Sequence, residues 1–390
     1  MSDSARPCIS GNLYINGQWI GTETSITNVS PSDTADVIGH FAQASLEHVS
    51  DAIAAANHAV GDWGRSPMET RYSVLMAIGN ELIERSRELG ELLAREEGKT
   101  HAEGIGEVYR SGQFFHYFAG EVHRQIDDRT DSVRPGIEVD TRREPVGVVA
   151  VISPWNFPMA TAVWKIAPAL AFGNSVVFKP ANLVPASAWA LTEIISRQSA
   201  LPGGTFNLVM GSGSTVGDAI INSDKIHAVS FTGSLPVGRE VAKATAANLV
   251  KCQLEMGSKN ALIVAADADL DVAVNAAFVG AYSGTGQQCT ASSRLIVDEA
   301  IHDQFVDKLV AKLRSTTVGH ALAEGVDMGP VASRQQLDEN LAWIEDGLSE
   351  GANLVFGGKP IQKSTEGYFM EPALFIDTTN DMRINRAELF

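Results

Sequence analysis

Cysteine is scarce in this 390-residue chain: Cys8, Cys252 and Cys289 are the whole complement. An odd, sparse set builds no disulfide framework, which points to a reducing compartment. No CxxC pair occurs, and the nine histidines lack zinc-ligand spacing, so no metal site is expected. Cationic residues are outnumbered, 30 Lys plus Arg against 47 Asp plus Glu, for a net charge of −17. A surface that acidic repels phosphate backbones and anionic lipid, which argues against nucleic acid and membrane as partners but leaves room for a local basic cleft. No uninterrupted apolar run reaches the roughly 18 residues of a transmembrane helix. Residues 1–10 carry Asp3 and Arg6 and no apolar stretch, unlike a signal peptide. Long linkers, low-complexity tracts and internal repeats are also missing. The expectation is a soluble cytoplasmic protein of roughly two to three domains, long enough to bury a sizeable core without staples.

What is present is ordinary globular material, 44% hydrophobic and 20% charged. Residues 13–20 read as a strand with a turn at Asn16-Gly17. Residues 46–123 read as three helices punctuated by Gly61, Gly98 and Gly104. Residues 124–144 lose that pattern around Pro135-Gly136 and read as a hairpin leaving the domain. Apolar, β-branched runs then recur at 146–152, 175–179, 205–209, 227–231 and 249–254. Helical stretches separate them near 158–172, 185–199, 214–222 and 234–247. This alternation predicts a parallel sheet covered by helices, with strands too apolar for one wet face. A second α/β series follows: strand 261–264, helix 269–283, strand 294–298, helices 301–316 and 334–350, and strands near 353–356 and 369–375.

Each of the five strands ends in an unusual loop: Ser153-Pro154-Trp155-Asn156-Phe157-Pro158, Lys179-Pro180-Ala181-Asn182, Gly211-Ser212-Gly213-Ser214, Phe231-Thr232-Gly233-Ser234 and Leu254-Glu255-Met256-Gly257. Ligands of open α/β sheets bind at the carboxyl ends of the strands, where glycines admit a pyrophosphate and helix N-termini offer free N–H groups. Lysine at the end of the second strand suits a ribose hydroxyl or a phosphate. A nucleotide site is therefore expected. Gly98-Lys99-Thr100 imitates the end of a P-loop, but Leu93 stands where the required glycine should be. Asp267, Asp269 and Asp271 suit a helix N-cap better than a metal. Cys252, on an apolar strand, reads as an inert core residue. Cys289, in the small polar stretch Gly286-Gln287-Gln288-Cys289-Thr290-Ala291, reads either as packing or as a nucleophile. Glu255 closes an apolar strand, so it is either paired or a base of raised pKa. Asn156, between two prolines, is either a turn former or an oxyanion donor.

Together, Pro154-Trp155-Asn156-Phe157-Pro158, Lys179-Pro180-Ala181, Phe231-Thr232-Gly233-Ser234, Glu255-Met256-Gly257, Gly286-Gln287-Gln288-Cys289 and Glu388-Leu389-Phe390 resemble the NAD(P)-dependent aldehyde dehydrogenase superfamily, over essentially the whole chain. The resemblance implies an α/β fold with a Rossmann-like parallel-sheet cofactor domain (1–123 and 144–253), a bridging or oligomerisation hairpin (124–143) and a second α/β catalytic domain (254–390). It implies Cys289 as nucleophile, Glu255 as general base, and Asn156 with the Cys289 backbone N–H as oxyanion hole. Lys179 would hold the adenosine ribose, and Trp155, Gly213, Ser234 and Gly238 would line the dinucleotide. Glu388 and Phe390 would hold the nicotinamide ribose and ring, with Ser153, Asn182, Gly217, Gly233 and Gly257 completing the cofactor set. Asn182 stands where NAD-preferring members often carry Glu, so NADP as well as NAD should be accepted. Ser258 replaces a usual glycine after Glu255.

Gly112–Gly120 and Met382–Arg386 resemble the 2-oxoglutarate semialdehyde (2,5-dioxopentanoate) dehydrogenase branch, implying a short aldehyde with a distal carboxylate. Trp164 stands where succinic semialdehyde dehydrogenases usually carry Arg. Phe157 and Trp164 would wall the substrate tunnel, and Arg110 and Gln113 would meet the carboxylate. Succinate or glutarate semialdehyde is the alternative substrate. In the family, Glu388-Leu389-Phe390 would continue into the rest of the catalytic domain and a strand shared with a partner subunit. A homodimer or homotetramer is expected of the longer form, and a cofactor-binding remnant without turnover is the competing reading.

Overall fold

The computed structural model describes residues 8–124 and 127–390. Most of the stretch read as unlike a signal peptide lies outside the described residues. Strand β1 (Ile9–Gly11) is followed by the hairpin β2 (Leu13–Ile15) and β3 (Gln18–Ile20). Its turn residues Asn16 and Gly17 take φ of 52° and 79°, as the Asn-Gly pair predicts. Strands β4 (Ser25–Ser30) and β5 (Asp33–Ala42) complete a three-stranded sheet in the order β1-β5-β4.

Residues 46–123 fold as four helices, not three: α1 (Leu46–Gly64), α2 (Met68–Glu84), α3 (Ser86–Glu97) and α4 (His101–Val122). Only Arg85 separates α2 from α3, and its guanidinium bonds Glu81 on one helix and Glu88 on the other. No gap in the apolar pattern marks that break. Gly98 ends α3 in a left-handed cap at φ 105°, whereas Gly61 and Gly104 lie inside helices. Thr100 and Glu103 form a capping box that starts α4. Strands β6 (Asp128–Asp131) and β7 (Glu138–Thr141) pair as an antiparallel hairpin, exposed throughout.

The main sheet is built from β8 (Val148–Ile152), α5 (Ala160–Ala171), β9 (Ser175–Lys179), α6 (Pro185–Ser196), β10 (Phe206–Leu208), α7 (Asp218–Ile221), β11 (Ala228–Gly233), α8 (Leu235–Ala247) and β12 (Lys251–Met256). Its strand order is β12-β11-β8-β9-β10-β2-β3. Strands β8 to β12 run parallel, and β2 joins antiparallel to β10. The helix expected over 214–222 is a π turn at Gly213–Gly217 followed by the short α7. Strands β8 to β10 are buried, but β12 is not. Lys251, Cys252, Gln253 and Glu255 are exposed, because among the described residues β12 is an edge strand with β11 as its one neighbour. Cys252 is therefore not the core residue its apolar surroundings predicted.

The remaining chain forms β13 (Ala261–Val264), α9 (Leu270–Tyr282), β14 (Arg294–Val297), α10 (His302–Arg314), α11 (Arg334–Ser349), β15 (Asn353–Phe356) and β16 (Leu374–Ile376). Strand β13 pairs parallel with β14, and β15 antiparallel with β16. Asp269 caps α9 by accepting from the N–H groups of Asp271 and Val272, as predicted. In the main sheet the chain winds from β8 outward through β9 to β10, then returns to the other side of β8 for β11. That reversal opens a crevice at the carboxyl ends of β8 and β11, where doubly wound sheets bind ligands.

Candidate active site

The loop after β8 places Asn156 in the interior, 5% exposed. Its Nδ2 donates to the backbone carbonyl of Gln287 at 2.9 Å. An amide nitrogen carries two hydrogens, so this bond leaves one for another acceptor. Gln287 stands two residues before Cys289, so the bond ties Asn156 to the cysteine loop across 131 residues of sequence. Asn260, just after β12, donates from Nδ2 to the Cys289 carbonyl at 2.9 Å. Gln287, 1% exposed, accepts the Ala332 N–H at its Oε1.

The approach to this loop is strained. Gly284, Thr285 and Gly286 all take left-handed φ, of 57°, 60° and 72°. Glycine tolerates that conformation, but Thr285 does not without cost, and such strain persists only where surrounding contacts impose it. The contacts here are Glu103 Oε1, which accepts the Gly284 N–H at 2.8 Å, and the Gly329 carbonyl, which accepts from Thr285 Oγ1 at 3.3 Å.

Cys289 is partly buried. Burial first, then the negative charges of Glu388 and Glu255, push its thiol pKa up. Both carboxylates thus act on the same sulfur. Glu255 is exposed, which corrects the expectation of a buried carboxylate: the edge position of β12 leaves its end open. Its Oε1 accepts from Gln253 Nε2 at 2.6 Å, and Gln253 Oε1 accepts from Lys165 Nζ at 3.3 Å. Lys165 is 4% exposed, and burial lowers its pKa to about 8 against the opposing pull of Glu255. Glu388 is half-buried, its pKa raised by burial and held back by Lys259. The Glu388 carboxylate occupies the space a Cβ at Gly257 would need.

Most of the other residues expected to hold the cofactor lie in the segments that follow the parallel strands. Ser153 and Lys179 end neighbouring strands, and the Ser153 N–H donates to the Lys179 carbonyl at 3.2 Å. Lys179 is 5% exposed, donates to the adjacent Pro180 carbonyl, and has its pKa lowered by burial to about 8. Gly217 faces the Lys179 stem, with 3.7 Å from a hypothetical Cβ to Cε. Gly213 has open space around it. Ser234 occupies the N-cap position of α8 without a side-chain capping bond, Gly233 lies against the Phe231 ring, and Gly238 lies against Met256. Trp155 stands edge-on to Phe390 at 5.2 Å between ring centroids. The side-chain oxygens of Ser153, Asn182 and Thr232 are buried with no hydrogen-bond partner. Buried polar atoms are normally satisfied, so these orphans, with a buried lysine and an open glycine loop, fit a polar ligand such as a dinucleotide.

The residues proposed to meet a substrate are more dispersed. The Phe157 ring lies under the Lys99 ammonium at 3.9 Å. Trp164, 39% exposed, stands edge-on to Phe114. Arg110 and Gln113 are exposed on α4, joined by a 3.1 Å hydrogen bond, and the Arg110 guanidinium lies over Phe114. A cavity of about 610 Å³, lined by Tyr282, Phe305, Trp343 and Phe375, borders the cysteine loop at Gly286 and Ala291 and reaches Phe390, but includes none of Cys289, Asn156 or Glu255. Among the described residues no group of three or more His, Cys, Asp or Glu could hold a metal, and no helix is long and apolar enough to cross a membrane.

Sequence reasoning passed over Gln287, Asn260 and Lys165, and dismissed Lys99. Lys165 carried a usable signal, a lone cation in the apolar run Val163-Trp164-Lys165-Ile166. Asn260 carried none, since its partner lies 29 residues away.

The chain matches the model of the aldehyde dehydrogenase family over residues 19–390. It is 41% identical over 383 residues to the alpha-ketoglutaric semialdehyde dehydrogenase of Bacillus subtilis, covering 97% of this chain and 78% of that protein. It is 39% identical over 376 residues to the 2,5-dioxopentanoate dehydrogenase of Saccharolobus solfataricus, covering 96% and 78%. Among solved structures, the betaine aldehyde dehydrogenase of Staphylococcus aureus in complex with NAD+ superposes with a TM-score of 0.95 at 33% identity, covering 97% of this chain and 76% of that one.

Proposed function

The chain belongs to the aldehyde dehydrogenase family, and from that premise we propose that it oxidises 2-oxoglutarate semialdehyde to 2-oxoglutarate with NADP or NAD. The bond from Asn156 Nδ2 to the Gln287 carbonyl carries the chemistry, because it aims the amide's second hydrogen from beside the nucleophile loop. The two semialdehyde dehydrogenases described above support the substrate. The cofactor domain is assigned to 1–123 and 144–256 and the catalytic domain to 257–390, the boundary expected at 253/254 moving to the end of β12, which stays in the main sheet to Met256.

In this reading the Cys289 thiolate attacks the aldehyde carbon. The alkoxide that forms is held by the Asn156 amide and the Cys289 backbone N–H, donors fixed before charge develops. Ser153, Trp155, Lys179, Asn182, Gly213, Gly217, Gly233, Ser234, Gly238, Gly257, Glu388 and Phe390 would hold the dinucleotide, whose nicotinamide, when bound, accepts the hydride that turns the thiohemiacetal into a thioester. Glu255, steadied by Gln253, takes a proton from the water that releases the acid. Arg110, with Gln113 beside it, pairs with the distal carboxylate, while Phe157 and Trp164 flank the aldehyde. The exposed β6–β7 hairpin, an open sheet edge, supports assembly into a homodimer or homotetramer. The three free cysteines are in keeping with the cytoplasm.

The test is formation of reduced cofactor with 2-oxoglutarate, succinate and glutarate semialdehydes. The expected outcome is the highest kcat/KM for the first, lost in Cys289→Ala. A clear preference for another semialdehyde overturns the substrate, and full turnover by Cys289→Ala overturns the mechanism.

A further inference from the structure

Gly98-Lys99-Thr100, which fails as a phosphate loop, leads straight to the active site from behind. Lys99 is 2% exposed. Its Nζ donates to the backbone carbonyl of Asn156 at 2.7 Å and to Glu107 Oε2 at 2.7 Å. Glu107, 6% exposed, uses its other oxygen to accept the N–H groups of Met159 and Ala160, each at 3.0 Å. One ion pair therefore grips the turn at Asn156 on its near side and at the start of α5 on its far side. The same neighbourhood holds Glu97, whose Oε2 accepts the Lys99 N–H, and Glu103, whose Oε1 holds Gly284 at the head of the cysteine loop.

We propose that the Lys99–Glu107 pair is a positioning device, holding the Asn156 amide in register with the Cys289 loop so that its free hydrogen meets the oxyanion. This inference rests on the reading of Asn156 as the oxyanion donor. Neither Lys99 nor Glu107 touches substrate; they act through the backbone of residues 156–160. The alternative is a purely structural pair. Buried ion pairs contribute little net stability over apolar residues of similar size, because the cost of desolvating both charges offsets their attraction. A hydrogen-bonded carbonyl fixes a peptide plane, and a donor displaced by about an ångström loses much of its rate contribution. Lysine suits the task, since its ammonium can serve a carboxylate and a carbonyl at once.

The test reads two reactions of the Cys289 thiolate on the full 390-residue chain. With p-nitrophenyl acetate, sulfur adds to the ester carbonyl, an oxyanion forms, and p-nitrophenolate leaves while the acetyl group stays on sulfur as a thioester. With iodoacetamide, sulfur displaces iodide and no oxyanion forms. Lys99→Met alone strands buried carboxylates without their cation and endangers folding. The primary variant is therefore Lys99→Met with Glu107→Gln, which removes both charges of the pair, keeps the acceptor for Met159 and Ala160, and leaves only Glu97, whose pKa burial already raises to about 7, to be neutralised by a proton.

We expect this pair variant to slow the acylation burst roughly 10- to 100-fold and to leave the alkylation rate within about twofold. Combined with Asn156→Ala, which should cost on the order of 100- to 1,000-fold by itself, the pair variant should add nothing further. Normal acylation in the pair variant beside slow acylation in Asn156→Ala overturns the positioning role alone. So does an equal loss of both reactions, a loss that persists on top of Asn156→Ala, or a pair variant that cannot fold. Normal acylation in Asn156→Ala, or no burst from the unaltered chain, overturns the reading of the site and this inference with it.

Discussion

Strands β9 and β13 read almost alike, Ser-Val-Val-Phe-Lys against Ala-Leu-Ile-Val, yet only one is buried. Every residue of β9 is inside, whereas Ala261 and Ile263 of β13 face out, Ile263 at 76% exposure. The difference lies in what surrounds them. Strand β9 has β8 and β10 as neighbours and packs against both α1 and α5. Among the described residues β13 pairs with β14 alone, and it turns alternate residues, the partly buried Leu262 and the buried Val264, against the smaller core around Phe305 and Leu309. Apolar composition shows that a strand can be buried; the number of layers covering it decides whether it is.

The largest test of this contrast is truncation on each strand. Phe178→Ala should destabilise by about 3–5 kcal/mol, because it opens a cavity in a closed interior. Ile263→Ala should cost less than about 1 kcal/mol. Chemical denaturation measures both, and equal costs would show that the outer face of β13 is covered in the native protein.

Strand β9 also carries an exception to its own apolar logic. Burial lowers the Lys179 pKa from 10.5 to about 8, so the folded state disfavours its charge. Because the folded pKa lies below the unfolded one, this penalty is full below about pH 8 and fades as pH rises towards 10.5. Lys179→Met should therefore raise stability at neutral pH by on the order of 2 kcal/mol while weakening cofactor binding. A variant that is less stable and binds the dinucleotide normally would make Lys179 a structural residue. Calorimetry reads both quantities.

Smaller effects distinguish Cys252 from Cys289. Cys252, exposed on β12, should react quickly with a maleimide in the native protein, and Cys289 more slowly. Cys289 alkylation should reach its midpoint at higher pH than an ordinary thiol, because burial and two carboxylates oppose the thiolate. Glu388→Gln removes one of those charges and should move the midpoint down. A midpoint unchanged in that variant would separate Glu388 from the nucleophile. Mass spectrometry of the labelled peptides gives both rates.

Much of the site was legible in the chain because its residues sit at strand ends. Ser153, Lys179, Gly233 and Glu255 follow apolar runs, and parallel pairing sets the first two strand ends side by side, Ile152 opposite Lys179. The fourth helix was not legible, since Arg85 breaks α2 from α3 without a glycine or proline. The exposure of Glu255 and Cys252 was not legible either, because an edge strand and a central strand share one pattern.

Sequence by itself determined the alternation of strands and helices, the loops that end them and the six motifs that mark the family, since these depend on residues near one another in the chain. Tertiary structure alone decided that Asn156 meets Gln287, that Asn260 holds Cys289, and that Lys99 and Glu107 stand behind the turn. Those contacts join segments separated by 131, 29, 57 and 52 residues. No local pattern encodes them. They exist because the packed sheet and helices bring distant backbone groups within hydrogen-bonding reach, where a buried polar atom must find a partner.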